Sequence, residues 1–137
     1  FMPIVLIAKT DEDYAAWVEE QKSAAEAAAG DATRTLTMDE LMAKGEAAYN
    51  ANCAACHQAN GQGIPGVFPA IAGSAVATGD VAKHIDIGVN GVAGTAMQAF
   101  GEQLSAVDLA AVITYQRNAF GNDTGDMVQP ADITAVK

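Results

Sequence analysis

The sequence is poor in basic and in aromatic side chains. Lysine and arginine number 7 against 17 aspartate and glutamate residues, which gives a formal net charge of −10, and aromatic residues make up only 6%. This charge argues against nucleic acid or an anionic membrane surface as a partner. It favours a basic or dipolar protein partner, although it would equally keep an exported domain in solution. With so few aromatics, a core made from protein alone would consist of small side chains that each bury little area.

Long apolar segments and a signal-peptide pattern are also lacking. The apolar run from Ile4 to Ala8 is far shorter than the roughly 18 residues of a membrane-spanning helix. No basic start is followed by a long apolar stretch and a small-residue cleavage site. Export must therefore be inferred from chemistry, and attachment to a membrane would need helices upstream of this sequence.

The chain divides into four parts by composition. The β-favouring run from Phe1 to Ala8 predicts a strand, and Thr10 caps a predicted helix that fades near Lys22. The next stretch is rich in alanine and lacks an apolar period, which predicts a linker with a helix in its alanine-rich half. We therefore expect a first unit at residues 1–22, a linker at 23–36, a main domain at 37–122 and a polar C-terminal tail at 123–137.

The main domain reads as all-α. Thr37 and Glu40 form a capping-box pattern that predicts a helix from Met38 to about Ala51. Further helices are expected over residues 80–89 and from about 105 to 118, and no β-α-β pattern is present. Six glycines and prolines lie between residues 61 and 73. This density excludes regular structure and predicts a loop wrapped around another group.

The pentapeptide Cys53-Ala54-Ala55-Cys56-His57 has the spacing of a covalent haem attachment site. Two thiols on one helical turn can reach the two vinyl groups of a porphyrin, while the following imidazole points at the iron. The alternatives are a thioredoxin-like redox pair, which requires a β-α-β setting, and half of a zinc site, which requires two more ligands where only His84 is left. We favour haem c, with Cys53 and Cys56 as attachment points and His57 as an iron ligand.

A sixth iron ligand must come from another part of the chain. The available methionine and histidine side chains are Met2, Met38, Met42, Met97, Met127 and His84. Met97 is the preferred ligand because it lies in a flexible loop just before the last predicted helix. A lone methionine can also be a filler of the core, and we expect His84 to be a surface residue of its helix.

Residues 38–120 resemble class I cytochrome c domains. Gly45, Tyr49 and Cys53 fall four residues apart, as in the first helix of that family, and Val112 and Tyr115 match the positions that this helix crosses. The resemblance implies a class I cytochrome c fold around one haem.

The same family resemblance concerns both faces of the haem. Pro69 follows His57 by twelve residues, matching the proline whose carbonyl accepts a hydrogen bond from the proximal imidazole. The segment from Gly94 to Phe100 resembles the methionine loop of the family, which implies Met97 as a ligand. Gln98 departs from the usual proline after the ligand, but variants fused to an oxidase also have Met-Gln.

The N-terminus resembles a different protein. Residues 1–5 and 13–18 are similar to the end of subunit II of haem–copper cytochrome c oxidases, a cupredoxin-like domain, just after the last histidine of the dinuclear copper centre CuA. Met2 then corresponds to a CuA ligand, and CuA itself could exist only in the intact subunit. Together with the cytochrome domain, this implies a fragment of a caa-type oxidase. The alternative is an unrelated amphipathic leader.

The resemblance implies single-electron transfer, not catalysis by this chain alone. The expected route leads from a donor cytochrome or other redox protein to CuA, next to subunit I, on the periplasmic side of a bacterial membrane. Two alternatives stay open. A free periplasmic electron carrier would have the same haem, and a haem enzyme or gas sensor would need a vacant or labile sixth site.

Overall fold

The structure is a computed structural model that describes residues 7–31 and 33–137, with side chains from 7–23 and 33–137. Within these ranges it is helical and contains no β-strand, only an isolated bridge between Ile64 and Phe68. The helices are α1 (Asp11–Asp31), α2 (Met38–Asn52), α3 (Ala54–His57), α4 (Ala75–Thr78), α5 (Val81–Asn90), α6 (Ala106–Asn118) and α7 (Pro130–Thr134). The predicted all-α class of the main domain is confirmed.

The predicted N-terminal strand falls mostly outside the described residues. Positions 1–6, including Met2, lie outside the described residues, while Ile7 and Ala8 have no strand structure. No helix in the described ranges is long and apolar enough to cross a membrane. The predicted boundaries between the four parts of the chain stay predictions.

Helix α1 is longer than the sequence pattern suggested. Thr10 begins it as expected, its hydroxyl oxygen accepting a hydrogen bond from the Asp13 amide at 3.2 Å. The helix does not fade near Lys22 but continues to Asp31, because alanine, the best helix former, dominates the added turns. The alanine-rich half of the predicted linker is therefore helical, as expected.

The centre of the domain is the crossing of α2 and α6. The capping box of α2 is present, with Thr37 and Glu40 exchanging hydrogen bonds. A Cβ at Gly45 would lie 2.6 Å from the Cβ of Tyr115 and 2.8 Å from the carbonyl carbon of Ala111, so only glycine allows the two backbones to approach this closely. Helix α6 begins after Ser105, whose hydroxyl accepts from the Asp108 amide, and most of its residues are buried.

The C-terminal segment is part of the core, which differs from the polar tail expected at residues 123–137. Helix α7 packs against α6, and Val128, Pro130 and Ile133 are buried. The Val128 amide donates to the Thr114 hydroxyl oxygen on α6 at 2.9 Å. The Gln129 side chain bonds both the amide and the carbonyl of Leu36 at 2.9 and 3.1 Å, which joins the two ends of the domain.

Candidate haem site

The two cysteines and His57 occupy a single tight turn at the end of α2. Cys53 ends α2 with its amide donating to the Tyr49 carbonyl, and its own carbonyl accepts from the amides of Cys56 and His57 at 3.2 and 2.9 Å. Both thiols are half-buried, and burial raises the pKa of Cys53 to about 11. The turn therefore presents two thiols and one imidazole together, as the spacing predicted.

The orientation of the His57 ring is set by Pro69. The His57 Nδ1 lies 2.8 Å from the Pro69 carbonyl oxygen, so a protonated Nδ1 donates to that oxygen. This leaves Nε2 as the nitrogen available to a metal. The sequence predicted this pair of residues, and the structure brings them together; their roles at an iron stay a prediction.

A loop of glycines and prolines follows His57. The Gly63 amide donates to the His57 carbonyl at 2.9 Å. A Cβ at Gly63 would lie 2.5 Å from the Pro69 carbonyl oxygen, the same atom that His57 contacts, and its φ is +63°. Glycine is thus required where the loop folds back against the imidazole partner.

Met97 lies in the loop before α6 and packs, half-buried, against the same hydrophobic core as Cys53. Its amide donates to the Thr95 hydroxyl at 3.1 Å and its carbonyl accepts from the Val92 amide at 2.9 Å, which fixes the backbone of the loop. Met127, in contrast, is an exposed residue near the C-terminus, with 50% of its surface accessible to solvent. Met97 therefore keeps its position as the preferred sixth ligand, and that assignment stays a prediction.

His84 is buried, so the prediction of a surface histidine was wrong. Only 4% of its surface is exposed, and its Nε2 lies 2.9 Å from the Gln116 side-chain oxygen. Burial, with a smaller effect from nearby Arg117, lowers the pKa of His84 to about 4 even though the hydrogen bond to Gln116 acts in the opposite direction, so the ring is neutral at pH 7. The sequence could not indicate this burial, because the partner Gln116 lies 32 residues later in the chain.

Arg117 lies in the same buried layer and has only 2% of its side chain exposed. Its guanidinium donates to the carboxylate of Asp126 and, at 2.8 Å, to the Gly79 carbonyl. The bond from Arg117 holds the pKa of Asp126 below its usual range. No sequence pattern predicted this pair, because Asp126 lies in a segment expected to be a polar tail.

The residues present fit a haem. Ile64 and Val67, in the loop that carries Pro69, expose 38% and 66% of their surface. An open cavity of about 440 Å³ lies along residues 62 and 65–70 of this loop. A flat apolar ring bound through Cys53 and Cys56 against this loop would remove that apolar surface from water.

The two alternatives for the cysteine motif are not supported. A thioredoxin-like pair needs a strand before the motif, and the described chain has only helices there. A zinc site needs about four ligands, but among the described residues no group of three or more histidine, cysteine or acidic side chains could hold a metal. His84, the only other histidine, is bonded to Gln116.

Comparison with known proteins agrees with the interpretation of the cysteine motif as a haem c attachment site. Residues 40–115 match the sequence model of a family described as "Cytochrome C oxidase, cbb3-type, subunit III". The chain belongs to this cytochrome c family. It therefore carries a covalent haem c domain that transfers electrons and is not an enzyme by itself. The family match begins at residue 40 and does not bear on residues 1–22, for which the comparisons give no support to an oxidase subunit II.

Relatives with known names are also cytochromes. The chain is 28% identical over 103 residues to the cytochrome c subunit of a quinone alcohol dehydrogenase from Gluconobacter oxydans (strain 621H), covering 68% of this chain and 22% of the relative. The corresponding subunit from Komagataeibacter europaeus is 28% identical over 99 residues, covering 65% and 21%. Cytochrome c-552 of Thermus thermophilus is 74% identical over 23 residues, covering 17% and 18%. The chain thus spans about a fifth of the length of each of these relatives.

Proposed function

We propose that this domain relays single electrons from a donor cytochrome or another redox protein to the CuA centre of a haem–copper oxidase. The observation that carries the electron-transfer part is the turn of Cys53, Cys56 and His57, with the His57 ring held on the Pro69 carbonyl. The resemblance of residues 1–22 to the end of subunit II supports CuA as the acceptor. In this proposal Met2 is a CuA ligand of the intact subunit.

The residues of the site have separate tasks. Cys53 and Cys56 would attach the cofactor by thioether bonds, and His57 and Met97 would be the ligands of the iron. When bound, a haem c supplies one-electron oxidation and reduction. Ligation by both His57 and Met97 would leave no open position for a substrate, which suits electron transfer more than bond-making at the iron. Pro69 keeps Nδ1 of His57 occupied and thereby tunes the electron donation of the ring.

Helix α1 is the expected connection between the two halves of the relay. Its 21 residues give it a length of about 30 Å. A connection of this kind keeps the cytochrome domain near its acceptor and raises the effective concentration without a permanent interface. The Tyr14 and Trp17 rings lie 5.9 Å apart on its exposed surface, where the proposal places contact with the rest of the CuA domain or with subunit I.

The acidic surface should select the electron donor. With a net charge of −10, the chain would attract a basic donor and repel an acidic one. Such steering weakens as salt screens the charges. The proposed location is the periplasmic side of a bacterial cytoplasmic membrane, because haem c attachment takes place outside the cytoplasm, with membrane attachment through upstream helices.

The relay is tested in the intact oxidase. Replacing Cys53 and Cys56 by alanine removes the haem, and turnover with a soluble donor cytochrome should then fall strongly. Turnover with a small reductant that reduces CuA directly should stay unchanged, which is the control for an intact oxidase. Unchanged turnover with the donor cytochrome would rule out the relay.

A free periplasmic electron carrier is the second candidate, and one observation favours it. The hydrophobic core starts at Leu36 and contains none of the α1 side chains that the structure describes, those of residues 11–23, which agrees with a cytochrome domain whose core forms without them. Deleting residues 1–31 distinguishes the two functions. The relay predicts a large loss of electron delivery to the oxidase, while a free carrier predicts none.

A haem enzyme or gas sensor is the third class. It requires that an external ligand can reach the iron. Ready binding of carbon monoxide by the reduced protein, or a visible spectrum that Met97→Ala leaves unchanged, would favour this class over electron transfer.

A further inference from the structure

Gln58, the residue that follows His57, has an unusual backbone conformation. Its φ is 63° and its ψ is 154°, a region that essentially only glycine occupies without strain. Strain of this kind persists only where the surroundings hold the backbone in place. Because Gln58 is bonded directly to His57, whatever holds Gln58 also limits the positions open to the imidazole.

Two hydrogen bonds hold Gln58 through its carbonyl oxygen. The Tyr49 hydroxyl donates to it at 2.7 Å and the Gly61 amide donates at 3.0 Å. The Gly61 contact is local to the turn. The Tyr49 contact comes from the last turn of α2, so it ties the strained residue to the helical frame of the domain.

The position of the Tyr49 hydroxyl is itself set by packing. The Tyr49 side chain is fully buried, and its ring centroid lies 4.9 Å from that of Phe120 and 5.7 Å from that of Tyr115. Phe120 also fits against Gly61, where a Cβ would lie 2.6 Å from the Phe120 ring. The aromatic cluster thus fixes both donors of the Gln58 carbonyl.

We propose that Tyr49 is a positioning residue for His57, whose hydroxyl holds the strained Gln58 peptide and so keeps the imidazole aimed with Nδ1 on Pro69 and Nε2 toward the iron. This inference rests on the proposed haem ligation by His57. It assigns a task to the hydroxyl group that phenylalanine, with the same ring, could not perform. From the sequence, Tyr49 was expected only as a residue of the helix crossing.

Tyr49→Phe in the holoprotein tests the proposal, with Tyr115→Phe as the matched control. Both rings belong to one cluster, but no hydrogen bond of the Tyr115 hydroxyl occurs in the described part of the chain. We expect Tyr49→Phe to shift the proton NMR resonances of the His57 ring in the ferric protein. It should also raise the midpoint potential, because a looser Nδ1 bond to Pro69 makes the ring a weaker electron donor. Tyr115→Phe should change neither. Unchanged His57 resonances in Tyr49→Phe, or equal changes in both variants, would overturn the proposal.

Gln58→Gly provides the second arm. Glycine adopts the observed φ and ψ without strain, so Tyr49→Phe combined with Gln58→Gly should return the His57 resonances toward those of the wild type. If Tyr49→Phe alone yields no holoprotein, the double variant should restore it, and failure to do so contradicts the proposal. Absence of haem-shifted His57 resonances in the wild type would instead refute the proposed ligation itself.

Discussion

The crossing of α2 and α6 should tolerate no side chain at Gly45. A Cβ there would lie 2.6 Å from the Tyr115 Cβ and 2.8 Å from the Ala111 carbonyl carbon. Both neighbours belong to α6, a largely buried helix, so they could give way only if the helix shifted as a whole. In an exposed helix, replacing glycine by alanine would stabilise by about 1 kcal/mol. Overpacking costs about 1–3 kcal/mol, and more where backbone must shift. We expect Gly45→Ala to lower the free energy of unfolding by about 2 kcal/mol or more.

Denaturant unfolding of the holoprotein, followed by haem absorbance and far-ultraviolet circular dichroism, measures this effect. Ala47→Gly is the matched control, since Ala47 is an exposed residue of the same helix and its replacement should cost about 1 kcal/mol by helix propensity alone. If Gly45→Ala stabilised the protein by the amount that Ala47→Gly destabilises it, the close crossing of the helices would be refuted.

Three further predictions concern the buried layers around α6. Because the pKa of His84 falls to about 4 on folding, its contribution to stability is complete above pH 6.5 and is lost as the pH drops toward 4. The loss is about 3 kcal/mol. The free energy of unfolding should therefore differ less between pH 7.5 and pH 4.5 in His84→Gln than in the wild type. An equal difference in the two proteins would contradict a buried, neutral His84. Asp126→Asn leaves buried Arg117 without its carboxylate and should cost about 1–3 kcal/mol by denaturant unfolding, whereas a neutral result would show that the pair is unimportant. Ile133→Ala should lower the free energy of unfolding by about 2–4 kcal/mol in the same assay. A value near zero would show that residues 123–137 do not pack against the core.

The local signals in the sequence predicted the main helices well. A capping box such as that of Thr37 and Glu40 works through atoms three residues apart, so the start of α2 can be read without knowledge of the fold. The start of α6 at Ser105 follows from the same chemistry. The turn from Cys53 to His57 is equally local, which is why the candidate site could be found from five residues.

Features that depend on distant contacts could not be predicted. The burial of His84 depends on Gln116, which lies 32 residues later, and the order of α7 depends on Thr114 and Leu36. The strained conformation of Gln58 was also missed, because glutamine carries no sequence signal for a positive φ. Only the family resemblance connected His57 with Pro69 across the intervening loop.

The most direct test of the account is the intact mass of the purified protein together with its reduced-minus-oxidised spectrum. The central claim is that Cys53 and Cys56 carry a covalent haem c with His57 and Met97 as iron ligands. It predicts a mass that exceeds the 14.0 kDa polypeptide by one haem, no free thiol after unfolding, and a spectrum that Met97→Ala changes. The bare polypeptide mass with two free thiols, from cells that attach haem to a control cytochrome c, would contradict it.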